Sequence, residues 1–150
     1  GDLREALHSL RSEGRIDPRE GVESLVERSR RAGMDVEVRY KQGAGPQSLA
    51  ELSTMGGHAL NRAVQEGLTN ARKHAPGEPV TITIAALADA LIITMSNPVA
   101  PAGKKGSGNS GGYGIVGMRE RASVVGGSLQ VQDEEGRFSW TLRLPRKEEK

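Results

Sequence analysis

The chain of 150 residues contains no cysteine. This absence excludes a disulfide framework, a thiolate zinc site and a cysteine nucleophile. Aromatic residues are almost as scarce: one tryptophan, two tyrosines and one phenylalanine are too few to form a platform on which bases stack. The net charge of +2 also falls short of the strong positive charge that phosphate backbones attract. We therefore expect no nucleic acid among the partners of this chain.

Long hydrophobic runs are missing as well. No stretch approaches the roughly 18 consecutive apolar residues that a membrane-spanning helix requires. The first residues, Gly1-Asp2-Leu3-Arg4-Glu5, lack the basic and then apolar order of a signal peptide. We expect a soluble, cytoplasmic chain, and this expectation leaves open that a longer parent protein is anchored in a membrane.

Glycine, by contrast, is abundant and unevenly placed. The chain has 20 glycines, and nine of them lie between Gly103 and Gly127. Because glycine alone combines a bare backbone with free choice of φ, such a cluster predicts close approach to a ligand or a loop that moves. The segment from Pro98 to Gly112 also has no hydrophobic periodicity and exceeds the usual length of a connection, which is typical of a lid or of a disordered loop.

Hydrophobic periodicity predicts the secondary structure of the remaining chain. Helical spacing covers residues 2–13, 18–32, 52–74 and 115–125, and strand patterns cover residues 34–40, 80–84, 91–95, 128–133 and 138–144. A turn at 43–46 separates the first strand from the third helix, and Gly126-Gly127 end the fourth helix. Strands that follow one another in pairs favour a mixed or mostly antiparallel sheet. We therefore predict an α/β fold, a two-layer sandwich with the helices on one face of the sheet.

The helix predicted over 52–74 carries a polar stripe beside its apolar face. Glu66, Asn70 and Lys73 follow at i, i+4 and i+7, which places them near one another. An amide oxygen is a suitable ligand for magnesium, an acid orients an attacking group, and a lysine neutralises phosphate. An ordinary solvated helix face is the alternative interpretation. The next residue, His74, also fits a partner of the helix dipole.

Gly112-Tyr113-Gly114-Ile115-Val116-Gly117 spells G-x-G-x-x-G at the start of the last helix. The backbone N–H groups of such a helix start are able to bind phosphate oxygens. A dinucleotide-binding fold would need a strand that leads directly into the first glycine, and the lid separates Gly112 from the nearest strand. A flexible loop followed by a glycine-containing helix start is a further alternative.

Together these two segments resemble a known family. Residues 62–75, RAVQEGLTNARKHA, resemble the N box of sensor histidine kinases. Residues 112–121, GYGIVGMRER, with Gly126-Gly127 after them, resemble the G box of the subfamily that pairs with LuxR/NarL-type response regulators. The similarity extends over about residues 18–145. It implies the Bergerat ATP-binding fold of the GHKL superfamily, which agrees with the predicted sandwich.

The resemblance also implies a role for each matching residue. Asn70 would coordinate Mg²⁺, Glu66 would polarise the attacking group, and Lys73 with His74 would lie near the phosphates of ATP. The residues of the glycine-rich motif would let the lid close and bring a helix start close to phosphate: Gly112, Gly114, Ile115 and Gly117. Arg119 and Arg121 match the family pattern too, but surface or structural ion pairing explains them equally well.

The chain departs from the family pattern at three places. Asn97 stands where the family has an aspartate that accepts a hydrogen bond from the amino group of adenine. An amide oxygen also accepts, but without charge and only if a second partner fixes its orientation. Phe138 stands about where a threonine is usual. The third departure is that His8, His58 and His74 all lack the sequence context of the phosphoacceptor histidine.

These observations lead to one hypothesis with two alternatives. Residues 1–14 would be the end of a dimerisation or linker helix, 15–145 an ATP-binding catalytic domain, and 146–150 a disordered tail. With Mg²⁺ and ATP, this domain would phosphorylate a histidine on a separate dimerisation domain, and a LuxR-type response regulator would be a further partner. We expect the isolated domain to be a monomer and the full kinase a homodimer. The alternatives are an anti-sigma-factor-like serine kinase and a nucleotide-sensing module without catalysis.

Overall fold

The computed structural model describes residues 18–99, 115–134 and 136–146, with side chains from residue 21 onward. The elements, in chain order, are α1 (Pro18–Arg31), β1 (Val36–Lys41), a 3-10 helix (Pro46–Glu51), α2 (Thr54–His74), β2 (Val80–Ala86), β3 (Ala90–Pro98), α3 (Ile115–Val124), β4 (Ser128–Glu134) and β5 (Arg137–Pro145). The helix predicted over 2–13 and most of the predicted lid lie outside the described residues. No helix in the described part of the chain is both long and apolar enough to span a membrane.

The five strands form one sheet in the order β1-β2-β3-β5-β4. Strands β1 and β2 are parallel, with Val36 opposite Val80, and the other three pairs are antiparallel. The parallel pair arises because α2 connects β1 to β2 as a crossover, whereas short turns connect β2 to β3 and β4 to β5. The prediction of a mixed sheet is therefore confirmed.

The two faces of the sheet differ in polarity because side chains alternate along each strand. One face is apolar and buried, with Ile82, Ile93, Met95, Trp140 and Leu142 at its centre. The other face carries a row of partly exposed threonines, in which the hydroxyl oxygens of Thr94 and Thr141 lie 3.3 Å apart. Helices α1 and α2 pack on each other, and α2 and α3 contact β5. The predicted two-layer sandwich, with helices on the buried face, is confirmed.

Helix α2 lies close against the sheet because Gly67 has no side chain. A Cβ atom at Gly67 would lie 2.3 Å from Sδ of Met95 and 3.1 Å from Nε1 of Trp140, both closer than van der Waals contact. Leu60, Val64 and other apolar residues of the same face are fully buried. The glycine therefore sets the distance between the polar stripe of α2 and the centre of β3 and β5.

The two glycines after α3 have different roles. Gly126 has a φ of 84°, and the N–H of Gly127 donates to the carbonyl of Ala122 at 2.8 Å, as at a helix C-terminus that ends with a left-handed residue. A Cβ atom at Gly127 would lie 2.1 Å from the carbonyl oxygen of Arg143. Gly126 therefore ends the helix, as predicted, while Gly127 allows the backbone to pass close to β5.

Candidate functional site

The predicted site residues lie on α2, at the end of β3 and at the start of α3. Asn97 is the last but one residue of β3, and Ile115 is the first residue of α3. Gly112 and Gly114 lie outside the described residues. The structure thus describes seven of the nine predicted positions: Glu66, Asn70, Lys73, His74, Asn97, Ile115 and Gly117.

Along α2, the polar stripe passes from buried to exposed. Asn70 is only 8% exposed, and the side chain of Glu66 is 26% exposed. A buried amide is costly unless its polar atoms have partners, so a solvated face does not describe Asn70. Lys73 and His74 are exposed in the last turn, where positive charge also interacts favourably with the helix dipole. Their proximity to phosphate stays a prediction.

Glu66 forms ion pairs with two arginines. Nη2 of Arg121, on α3, lies 3.3 Å from Oε2 of Glu66, and Nη2 of Arg62, one turn earlier on α2, lies 3.7 Å from the same oxygen. The structure therefore brings the two sequence motifs together through a side-chain contact. From the sequence, Arg121 matches the family pattern and also fits surface or structural ion pairing, but its partner is not predicted. The partner was missed because the two residues are 55 positions apart and no local spacing relates them.

Asn97 is buried, with 6% of its surface exposed. Its Nδ2 donates to the carbonyl oxygen of Pro98 at 3.0 Å. An amide needs a second partner to fix its orientation, and this hydrogen bond supplies that partner. The bond uses Nδ2, so Oδ1 takes no part in it. Asn97 is therefore oriented as an acceptor, as the aspartate of the family would be, although it carries no charge.

The strand opposite Asn97 contributes an apolar neighbour. Phe138 of β5 lies directly across from Asn97 in the antiparallel register and is 7% exposed. An aromatic ring therefore lies beside the amide, at about the position where the sequence resemblance implies a threonine. This substitution adds buried apolar surface beside the amide.

The start of α3 combines a core residue with an open backbone position. Ile115 is buried in the hydrophobic core, so backbone N–H groups, and not its side chain, would face a phosphate at this helix start. At Gly117, a Cβ atom would lie 3.3 Å from Nη1 of Arg121. Gly117 therefore makes room for the arginine that contacts Glu66, besides its predicted role near phosphate.

A metal ion at this site would need ligands from outside the protein. In the described ranges, no group of three or more histidine, aspartate or glutamate side chains is arranged to hold a metal. Magnesium usually keeps several waters and binds phosphate oxygens of its nucleotide, so one amide oxygen suffices as a protein ligand. The amide of Asn70 and the carboxylate of Glu66 are oxygen donors of the kind that Mg²⁺ prefers, so the residues present fit this ion.

Two curated proteins of Bacillus subtilis strain 168 are similar to this chain over most of its length. The sensor histidine kinase DesK is 29% identical over 111 residues, which are 74% of this chain and 29% of DesK. The sensor histidine kinase LnrJ is 27% identical over 134 residues, which are 89% of this chain and 31% of LnrJ. The chain thus spans about a third of the length of these relatives.

Solved structures with a similar fold are also histidine kinase domains. The nucleotide-free catalytic domain of the histidine kinase ThkA superposes with a TM-score of 0.61 at 13% identity, covering 88% of this chain and 94% of that domain. The kinase domain of the blue-light-activated histidine kinase from Erythrobacter litoralis EL346 gives a TM-score of 0.56 at 18% identity, covering 83% of this chain and 57% of that one. At these identities the similarity shows the fold.

The sequence profile of one family matches residues 56–148, which are more than half of the chain and include most of α2, the end of β3 and all of α3. Both predicted motifs lie inside this match. The chain belongs to the family described as histidine kinase-, DNA gyrase B-, and HSP90-like ATPase.

Proposed function

We propose that this chain is the ATP-binding catalytic domain of a sensor histidine kinase, which transfers the γ-phosphoryl group of Mg-ATP to a histidine on a separate dimerisation domain. The observation that carries the proposal is the buried amide of Asn70, one turn after Glu66 on α2. The resemblance to the N box assigns the magnesium ligand to this position. The similarity to two sensor histidine kinases supports this choice within the family.

Each residue of the site would have a separate role in phosphoryl transfer. Asn70 and the phosphate oxygens would hold Mg²⁺, which when bound neutralises charge on the transferred group. Glu66 would accept a hydrogen bond from the N–H of the acceptor imidazole and so make its other nitrogen a better nucleophile. That nitrogen attacks the γ-phosphorus, the bond to the bridging oxygen breaks, and ADP leaves. Lys73 and His74 would neutralise phosphate charge.

The non-catalytic alternative depends on Asn97 and on the missing acceptor histidine. The hydrogen bond from Asn97 to Pro98 keeps an acceptor oxygen available, so the presence of Asn97 no longer favours this alternative. The missing acceptor histidine agrees equally well with phosphoryl transfer to a histidine on a separate domain. The serine kinase alternative has no support from the curated relatives, both of which are named sensor histidine kinases.

Partners and location follow from the proposed activity. The phosphoacceptor domain of the same kinase would be the substrate, and the spelling of residues 112–121 favours a response regulator of the LuxR type. We propose residues 15–145 as the catalytic domain, preceded by the end of a dimerisation helix in residues 1–14. The isolated domain would be a cytoplasmic monomer, and the full kinase a homodimer.

The test is transfer of labelled phosphate. The purified chain is incubated with Mg-ATP labelled at the γ-phosphate and with a dimerisation domain that carries an acceptor histidine. We expect acid-labile, base-stable label on the acceptor. Asn70→Asp should abolish labelling because a carboxylate buried at this position repels the triphosphate. Gln65→Glu is the matched control, since it makes the same change from amide to acid at an exposed position on α2 and should leave labelling unchanged.

Each other outcome favours a different conclusion. Tight binding of ATP without transfer to any acceptor would support a nucleotide-sensing module. Acid-stable label on a serine would support a serine kinase. A folded chain that binds no nucleotide would contradict the proposal and both alternatives.

A further inference from the structure

The contact between Arg121 and Glu66 joins the two motifs of the site. The two arginines near Glu66 both lie beside Oε2, at 3.3 Å for Arg121 and 3.7 Å for Arg62. Neither of these contacts uses Oε1. A carboxylate held at one oxygen keeps its orientation, and the other oxygen remains able to accept a hydrogen bond.

Arg121 is the stronger partner of the two. Its side chain is 33% exposed, against 56% for Arg62, and its distance to Oε2 is shorter. Solvent screens an exposed pair on a helix surface, and such a pair holds a side chain only weakly. The orientation of Glu66 therefore depends mainly on Arg121.

The position of Arg121 is in turn fixed by α3. Met118 and Ala122, on either side of Arg121, are buried in the core and hold the helix in place. Gly117 is one turn earlier, and a Cβ atom there would lie 3.3 Å from Nη1 and 3.7 Å from Nη2 of Arg121. The bare backbone at Gly117 thus leaves room for the guanidinium group in this position.

We propose that Arg121 is a positioning residue, which holds Oε2 of Glu66 so that Oε1 faces the attacking imidazole. This inference rests on the proposed phosphoryl transfer. It adds that the orientation of Glu66 depends on α3, the helix that follows the glycine-rich motif. Arg121 acts through Glu66. Loss of the arginine should therefore slow the transfer step and leave nucleotide binding almost unchanged.

The experiment compares Arg121→Gln with Arg119→Gln in the transfer assay. Both variants remove one positive charge from α3, but Arg119 contacts the carbonyl oxygen of Leu129 and not Glu66. We expect Arg121→Gln to lower kcat by about 10- to 100-fold, the size of effect that a misplaced catalytic group has, with the Kd of Mg-ATP changed less than about threefold. Arg119→Gln should stay within about twofold of the unchanged chain in both quantities, and Arg121→Lys should give an intermediate kcat.

A double-mutant cycle with Glu66→Gln separates positioning from a structural role. If Arg121 acts through Glu66, then Arg121→Gln added to Glu66→Gln causes almost no further loss of kcat. Additive losses, or equal weakening of ATP binding and transfer, would overturn the inference. Where Arg121→Gln is too unstable to assay, Arg121→Lys carries the same cycle. If the unchanged chain transfers no phosphate, the proposed function itself has failed, which is a distinguishable result.

Discussion

Asn97 shows how one hydrogen bond determines what a side chain offers to a ligand. With Nδ2 directed to the carbonyl of Pro98, the amide presents an oxygen and not an NH₂ group. The amino group of adenine is a donor and suits an acceptor, whereas a purine with an oxygen at the same position does not. We therefore expect Asn97 to distinguish adenine from such a purine without any charge.

This expectation can be measured with ATP and inosine triphosphate, which has an oxygen in place of the amino group. Asn97→Leu keeps the branching of the side chain and removes the acceptor, so the Kd of ATP should rise about 10-fold, the cost of leaving a buried donor unpaired. The Kd of inosine triphosphate should stay the same or fall. Equal weakening of both nucleotides, in a variant that unfolds like the unchanged chain in urea, would show that Asn97 acts only through packing.

The sequence indicates candidate residues for the site more readily than it indicates the contacts between them. Asn97 was predicted as a departure from the family pattern, but the partner that orients it was not, because a backbone carbonyl leaves no sequence signal. The spacing of Glu66 and Asn70 within one helix was sufficient to place them near each other. The contact with Arg121 was not predictable, since it depends on how α2 and α3 pack in three dimensions.

At the scale of elements, the packing of α2 on the sheet depends on Gly67. Glycine lowers the stability of a helix interior by about 1 kcal/mol relative to alanine, so its presence in the middle of α2 needs a reason. The reason is the close contact with Met95 and Trp140, both at most 2% exposed. Since a Cβ atom at Gly67 would lie closer than van der Waals contact to two buried side chains, a methyl group there must displace part of the core.

Gly67→Ala should therefore destabilise the domain despite the better helix propensity of alanine. We expect the free energy of unfolding to fall by about 1 to 2 kcal/mol, as overpacking of a dense core usually costs. Urea unfolding measures this change. As a control, Met95→Ala removes the sulfur atom that the new methyl group would meet, so the double variant should lose less stability than the two single variants together. A stabilised single variant would contradict the contact.

The predicted elements agree best with the structure where a periodic pattern is long. Helix α2 differs from its predicted range only at its start, and α1 and α3 differ by one residue at their ends. For the 3-10 helix from Pro46 to Glu51 the sequence predicts only a turn at 43–46, because six residues are too few for the helical pattern, which is recognised over about 11 to 18 residues. Its start is stabilised locally, since the N–H of Gly45 donates to Oγ of Ser48 at 3.0 Å.

In the molecule as a whole, the two ends of the central strand have different contacts. Asn97 lies near one end of β3, which is nine residues long and spans about 27 Å. At the other end, Arg146 donates to the carbonyl of Leu87, and its backbone N–H donates to the carbonyl of Asp89 at 3.1 Å. Nη2 of Arg146 also lies 2.7 Å from Oε1 of Glu51. Arg146 thus links the β2–β3 turn to the 3-10 helix, although it is the first residue of the segment predicted as a tail.

Because these two ends of β3 are far apart, we expect mutations at the Arg146 end to change stability without changing nucleotide binding. Arg146→Ala should lower the free energy of unfolding by about 1 kcal/mol, because the arginine side chain is only 29% exposed and contacts both the carbonyl of Leu87 and the carboxylate of Glu51. The matched control is Arg143→Ala. Arg143 pairs with Asp89, whose side chain is 78% exposed, so this variant should cost less than about 0.5 kcal/mol.

Mutations this far apart usually act additively, so the Kd of Mg-ATP should stay within about twofold in both variants. A large loss of ATP affinity in Arg146→Ala would instead mean that the far end of the sheet controls the geometry at Asn97.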